Sequence, residues 1–199
     1  MFLNKLKILA ISTIIFAFLT PVHAKNLPKF KVEILVFESL ALKGWTEEYW
    51  PDNIDMISTN RAKFLKPLPK SQNMLNKQAA KMTGKKGYHI LFHKSWLVQA
   101  KSKKHAREIL IHNQAGSTID GTLKFYKSRF PHVEINLELE RKIPERIKQE
   151  FSEQQNISVE DLPKFWRFKI KESRKLKSNE LHYIDHPLFG ALIQIQWQK

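Results

Sequence analysis

Residues 132–140 read H-V-E-I-N-L-E-L-E, alternating polar and apolar residues without a break. Side chains of an extended strand point to opposite faces with a period of two, so Val133, Ile135, Leu137 and Leu139 share one face and Glu134, Asn136, Glu138 and Glu140 the other. A strand with one dry and one wet face belongs to an antiparallel sheet that covers a core on one side only. This pattern decides the fold class, and the rest of the chain is read outward from it.

Upstream, residues 118–127 (T-I-D-G-T-L-K-F-Y-K) and 107–113 (R-E-I-L-I-H-N) form two more runs separated by Gly116, and residues 88–98 (Y-H-I-L-F-H-K-S-W-L-V) form a fourth. Consecutive short strands joined by tight turns make an antiparallel meander. Residues 30–37 (F-K-V-E-I-L-V-F) alternate and then become wholly apolar, as a strand does when it runs from an edge into a core. Downstream, residues 164–171 (K-F-W-R-F-K-I-K) resume alternation, with Trp166, Phe168 and Ile170 inward and Arg167, Lys169 and Lys171 outward. A last strand at 188–197 carries Leu192, Ile193 and Ile195. Met74, Leu75, Gln78, Ala79 and Met82 fall at helical spacing within 71–83, with Ser71 as N-cap and Gly84 as stop. Residues 38–60 carry Trp45, Tyr49 and Trp50, too much ring surface to leave in water, and are read as an ordered excursion. Residues 142–163 are polar, partly helical, and read as a surface insertion. The expected fold is α+β: a mainly antiparallel, strongly curled or barrel-like sheet that hides its edges, with one or two helices.

Residues 1–24 have the form of a secretory signal peptide: a basic start (Lys5, Lys7), an apolar run over 8–19, Pro21, and small residues at Val22 and Ala24. The run is short of the roughly 20 residues that span a bilayer. This predicts a chain exported to the periplasm, not membrane-embedded after cleavage, with residues 25–199 as a single domain. The sequence has no cysteine, which excludes disulfides, thiolate zinc sites and thiol nucleophiles. Its net charge of +15 falls by two when the signal leaves. Such a charge calls for anionic partners. In the envelope these are wall peptides, lipid headgroups or acidic proteins rather than nucleic acid.

Residues 174–190, R-K-L-K-S-N-E-L-H-Y-I-D-H-P-L-F-G, concentrate the chemically committed side chains. His182 to His186 follows the H-x-x-acid-H order of an inverted zinc-protease motif, which needs both histidines on one helical face. Pro187 disfavours the helical conformation at His186, so no metal is expected. No nucleophile elbow is present and no catalytic residue is assigned; cofactors are expected to be none. The segment is read either as a ligand site or as a polar corner, with Asp185 paired to His186 or Arg174. Arg167, Lys169 and Lys171, continued by Arg174, form an outward basic ladder beside Trp96, Trp166 and Tyr183, whose rings could stack on a sugar; the alternative is a solvated face.

With these residues in view, the chain resembles the CsiV family of periplasmic peptidoglycan-binding proteins. The resemblance is carried by V-E-I-L-V-F just after the signal, by Glu47-Glu48-Tyr49-Trp50-Pro51, by 88–96 ending in Ser-Trp, by the Gly-x-Leu-x-x-Tyr-x-x-Arg-aromatic-x-His run of 121–132, and by the 174–190 motif. Pro131 stands where the family usually has Leu. The resemblance implies a non-catalytic wall-binding regulator that supports a class A penicillin-binding protein through that synthase's outer-membrane lipoprotein activator. The alternative is an adaptor for an acidic envelope partner without wall contact. The family assigns no binding residues; our reading of the residues places the candidate surface at Trp96, Arg129, His132, Arg167, Lys169, Lys171, Arg174, His182, Tyr183, Asp185 and His186.

Overall fold

The computed structural model describes residues 27–51 and 55–198; the expected signal peptide lies outside them. Eight strands form two four-stranded antiparallel sheets. Strands β1 (Lys29–Ser39), β2 (Tyr88–Gln99), β7 (Leu181–Ile184) and β8 (Phe189–Gln198) make the first, in the order β2-β1-β8-β7. Strands β3 (Glu108–Ala115), β4 (Ser117–Lys127), β5 (Pro131–Lys142) and β6 (Phe165–Lys175) make the second, a meander in sequence order. Three short helices accompany them: α1 (Lys43–Thr46), α2 (Asn76–Ala79) and α3 (Lys148–Gln155).

The apolar faces of the two sheets share one core. Val32, Ile34 and Val36 of β1 meet Leu123 and Phe125 of β4, Val133 to Leu139 of β5, and Trp166, Phe168 and Ile170 of β6. The inward and outward sets expected from the alternation of β5 and β6 are those observed. The strongly curled or barrel-like sheet is not: neither sheet closes on itself. Each sheet already buries the dry face of the other, so closure brings no further burial.

The edges on one side are covered instead. Residues 63–68 strap the side where β2 and β3 lie. Lys63 exchanges backbone hydrogen bonds with β3, its N–H to Glu108 O (2.8 Å) and its O from Leu110 N (3.0 Å). Leu68 donates to Ser95 O of β2 (2.8 Å), and Trp96 Nε1 donates to Leu65 O (2.9 Å). An edge occupied by its own chain cannot recruit another.

The expected helix over 71–83 shrinks to one turn, α2, after a separate 3-10 turn at Lys70–Gln72. Glu33 is the cause. It is fully buried on the outer face of β1, where its carboxylate accepts the N–H groups of Met74 (2.5 Å) and Leu75 (2.9 Å) and contacts His93 Nε2 (2.7 Å). These bonds hold Asn73 extended, so no helix runs through it. Leu75 then packs on Leu35, Phe37 and Leu192, giving the first sheet a small second core on its outer face.

The 142–163 stretch is anchored rather than laid on the surface. Phe151 of α3 is wholly buried between Trp45 and Trp166, with ring centroids 5.4 and 5.0 Å away. Gln155 accepts from Trp50 N (2.7 Å) and donates to Glu48 O (3.3 Å). The polar composition of α3 hid a single aromatic anchor.

Candidate functional site

The eleven expected site residues do not converge. Trp96 is 1% exposed inside the core, so its ring cannot meet a sugar. His186 lies at the chain corner before β8, its ring 5.0 Å from Trp50 and close to Phe168 and Phe189. It accepts Leu188 N–H at Nδ1 (3.2 Å), and burial drops its pKa to about 4 against a weaker upward pull from Asp185, so it is neutral at neutral pH. It therefore makes no ion pair with Asp185. Asp185 instead accepts the Tyr183 hydroxyl, and Arg174 donates to the Tyr183 carbonyl (2.7 Å). His182 accepts only a long contact from Lys177 N (3.4 Å).

The 185–188 corner is built against the 44–50 excursion. A Cβ on Gly44 would lie 2.8 Å from Pro187 O, so only glycine permits this approach. Ser39 N donates to Leu188 O (2.8 Å). Gly190, in turn, leaves room for Phe37 and Tyr183, which stack 6.2 Å apart at 15°. The 185–188 end of the 174–190 segment forms a packed corner: two sequence-distant aromatic segments interlock there, with Tyr183 half-exposed at the rim. Among the described residues no group of three or more His, Asp or Glu could hold a metal ion.

His132 stacks on Tyr126 (5.1 Å, 5°), its register partner across β4 and β5. Arg129 lies over Phe130, whose ring is also capped by Lys175 at 3.4 Å. These groups occupy the β4–β5 hairpin end, away from the corner.

Arg167, Lys169 and Lys171 do form an outward ladder on β6, but it faces an acidic row. The register sets Arg167 beside Glu140, Lys169 beside Glu138 and Lys171 beside Asn136. Arg167 Nε reaches Glu140 at 2.9 Å and Glu138 at 3.7 Å. Lys169 Nζ donates to Asp55 O (2.7 Å). Burial pushes the Glu138 carboxyl up against the pull of Arg167, the Ile57 amide and Lys169. Most of the ladder is thus neutralised by its neighbour strand. Lys171 alone faces an uncharged residue.

Beside Lys171 the outer face of the second sheet opens into a groove of about 770 Å³. Residues 55–63 wall one side, crossing from Asp55 on Lys169 of β6 to Lys63 on the β3 edge. Thr122 and Asn136, directly opposed in register, form the floor. Lys171 and Ser173 flank it on one side, Glu108 and Lys124 on the other, and Glu134 and Lys103 line its far end. Two of its cations are already paired: Lys103 with Glu134 (2.5 Å) and Lys124 with Glu108 (3.7 Å). Burial opposes ionisation of Glu134, but Lys103, Tyr126 and Lys124 outweigh it and hold its carboxyl below the ordinary value. Among the described residues Arg61 and Lys171 have no carboxylate within ion-pair distance, and Asn136 Oδ1, shut off from solvent, has no hydrogen-bond partner. Exposed cations in this state are set to receive a ligand's anionic groups.

The groove was missed by sequence reasoning, although part of it was within reach. Alternation already put Glu134 and Asn136 on the wet face, and pairing β4 with β5 would have aligned Lys124 with Glu134. Nothing in the sequence pointed to Arg61, which arrives on an irregular segment.

A family model described as peptidoglycan-binding protein, CsiV, matches residues 6–197. The chain belongs to the CsiV family. No curated protein and no solved structure matches it. Two of the five CsiV signatures recognised in the sequence, 47–51 and 174–190, meet at the corner, where Trp50 stacks on His186. In this CsiV chain the open, charged groove lies on the other sheet. No helix among the described residues is long and apolar enough to cross a membrane.

Proposed function

We propose that the chain is a non-catalytic cell-envelope protein that binds peptidoglycan noncovalently, using the outer groove of the second sheet. On this reading it acts in the periplasm, delivered there by the 1–24 signal, and supports wall synthesis as a regulator of a class A penicillin-binding protein through that enzyme's outer-membrane lipoprotein activator. The observation that carries the reading is the groove itself: an open, polar concavity in which, among the described residues, two cations have no carboxylate partner, in a chain matched over 6–197 by a model of peptidoglycan-binding proteins. Peptidoglycan is a polymer of sugars and carboxylate-bearing peptides, and such a groove suits it better than an apolar small molecule. Sedimentation of the mature protein with purified sacculi tests this. The protein is expected in the pellet and to stay there when salt is raised moderately. Retention in the supernatant at low salt rejects the reading; release by modest salt indicates polycation adhesion, since exposed charges are screened over about 10 Å at 0.1 M.

The second reading, an adaptor for an acidic envelope partner, draws on another surface. Exposed Phe64, Leu65 and Leu97 border a cleft of about 350 Å³ whose rim carries Lys63, Lys101 and Arg107. Apolar residues ringed by cations suit an acidic protein segment. Cross-linking in cells from a photoreactive residue at Phe64 tests it. Capture of a protein that the sacculus-binding groove does not require supports the adaptor, and a blank result at expression levels that give wall binding removes it.

A further inference from the structure

Resting on the peptidoglycan reading of the groove, we propose that it is a stem-peptide site: it takes a free carboxylate of the peptide branch between Arg61 and Lys171, and the glycan strand stays outside. The lining decides between the two halves of the polymer. Protein sites hold sugar rings with aromatic faces, yet among the described residues no aromatic side chain lines this groove. Tyr88 and Tyr183 flank Phe37 on the outer face of the other sheet, on the far side of the shared core, and the other exposed rings, Tyr49, Phe64, Phe130, Phe165 and Trp197, are not among the residues that line the groove.

What lines the groove is instead matched to a peptide. Arg61 comes from the 55–63 wall and Lys171 from β6, so the two uncommitted cations approach from different elements over the Thr122–Asn136 floor. A carboxylate entering there gains charge-assisted hydrogen bonds from both. Glu134 at the far end, its carboxyl held below the ordinary value by Lys103, and Glu108 on the side opposite Lys171 are the carboxylates that a ligand ammonium would share with those lysines. The complementary ligand is a short peptide with a free carboxylate and a free amine a few bonds apart. This is the pattern of a stem peptide ending in a diamino-dicarboxylic acid.

Binding of the mature protein to three probes tests this by titration calorimetry: an L-Ala-γ-D-Glu-meso-diaminopimelate tripeptide, the same peptide with its carboxylates amidated, and a chito-oligosaccharide. Sacculus sedimentation runs in parallel. The free tripeptide is expected to bind, and amidation to weaken it about tenfold or more, as loss of a charge-assisted bond does. Arg61→Ala and Lys171→Ala, both at exposed positions, should each weaken the tripeptide about tenfold. Circular dichroism confirms that each variant folds. A protein that pellets with sacculi but binds the oligosaccharide in preference to the tripeptide, or whose affinity is unmoved by both substitutions, overturns the stem-peptide site and leaves the wall-binding reading standing. A protein that fails to pellet with sacculi overturns the wall-binding reading and this inference with it.

Discussion

His186 lies almost flat on Trp50, with ring centroids 5.0 Å apart and planes 30° apart, and this contact makes the fold sensitive to acid. The folded chain holds the ring at a pKa of about 4, below its ordinary 6.5, chiefly because burial disfavours the charged imidazolium. Between those two pH values the unfolded chain binds a proton that the folded chain excludes, so stability rises with pH across this window. The loss begins as pH falls through 6.5 and is complete below 4, amounting to no more than about 3 kcal/mol for a ring that keeps some solvent contact. His186→Phe keeps a ring against Trp50 and removes the titration. Urea unfolding of both proteins at pH 7 and 4.5 should show a smaller acid loss in the variant; equal losses would refute the assignment.

The Glu38–Arg141 pair ties the two sheets together out of water. Arg141 of β5 places Nε 3.3 Å from Glu38 Oε2 of β1, donates from Nη1 to Ser39 O (2.7 Å) and lies over the Trp45 ring (5.5 Å). Glu38 also accepts Ser117 Oγ–H (2.8 Å) and contacts His89 Nδ1 (2.8 Å). Burial lowers the Arg141 pKa while Glu38 raises it, which is the balance expected of a desolvated pair. Removing one partner strands a buried charge. Arg141→Met and Glu38→Gln should each cost about 3 kcal/mol or more, and the double variant clearly less than their sum. A denaturant double-mutant cycle measures the coupling, and strict additivity would show that the pair does not interact.

Gly121 of β4 lies directly against the β5 backbone. Its φ is +150°, and an added Cβ would lie 2.1 Å from Asn136 O. Gly121→Ala combines a disfavoured backbone with a clash against main chain that cannot rotate away, and should cost at least about 3 kcal/mol. Gly84 has open space on all sides of its would-be Cβ. Gly84→Ala should change stability by no more than about 0.5 kcal/mol. Urea midpoints of the two variants check the contrast, and a mild effect at Gly121 would mean that the strand pair can open there.

How far the chain could be read in advance depended on whether each residue's partners were periodic. In β5 and β6 every inward residue repeats at two, so Val133 to Leu139 and Trp166 to Ile170 were legible, and with them the antiparallel fold. Whether the sheet curls or stays open depends on what lies across the core, and no local pattern encodes that. Residues 71–83 have helical spacing, but Glu33, 41 residues before Met74, takes the amides of Met74 and Leu75 and overrides it. The same holds for the candidate site. The basic ladder of β6 was legible, whereas its neutralisation by Glu138 and Glu140 needs the β5–β6 register. The histidines of 174–190 stood out as chemistry because buried polar corners use the same residue types as sites.

Glu33 therefore offers a direct measure of how one buried carboxylate shapes a distant segment. Two of its contacts are to N–H groups of a neighbouring turn and the third is to His93, whose other neighbours on β2 include Ser95, hydrogen-bonded to Asn73 Oδ1 (2.7 Å). The two amide bonds and the Ser95–Asn73 bond tie residues 73–75 to β1 and β2 and seat Leu75 in the outer core, and the His93 contact links β1 to β2 beneath them. Glu33→Gln preserves the shape but leaves one oxygen to accept where two did, and turns an amide toward groups that already donate. Each lost bond to a charged acceptor is worth about 1.5–3 kcal/mol, so the amides of Met74 and Leu75 should exchange with solvent roughly tenfold to a hundredfold faster. Hydrogen exchange read by mass spectrometry should show this acceleration confined to 70–82, with β4 and β5 slowed or hastened only as far as global stability moves. Uniform acceleration across both sheets would mean that Glu33 supports the whole fold rather than this segment, and an unchanged rate at 73–75 would mean that the carboxylate does not hold it.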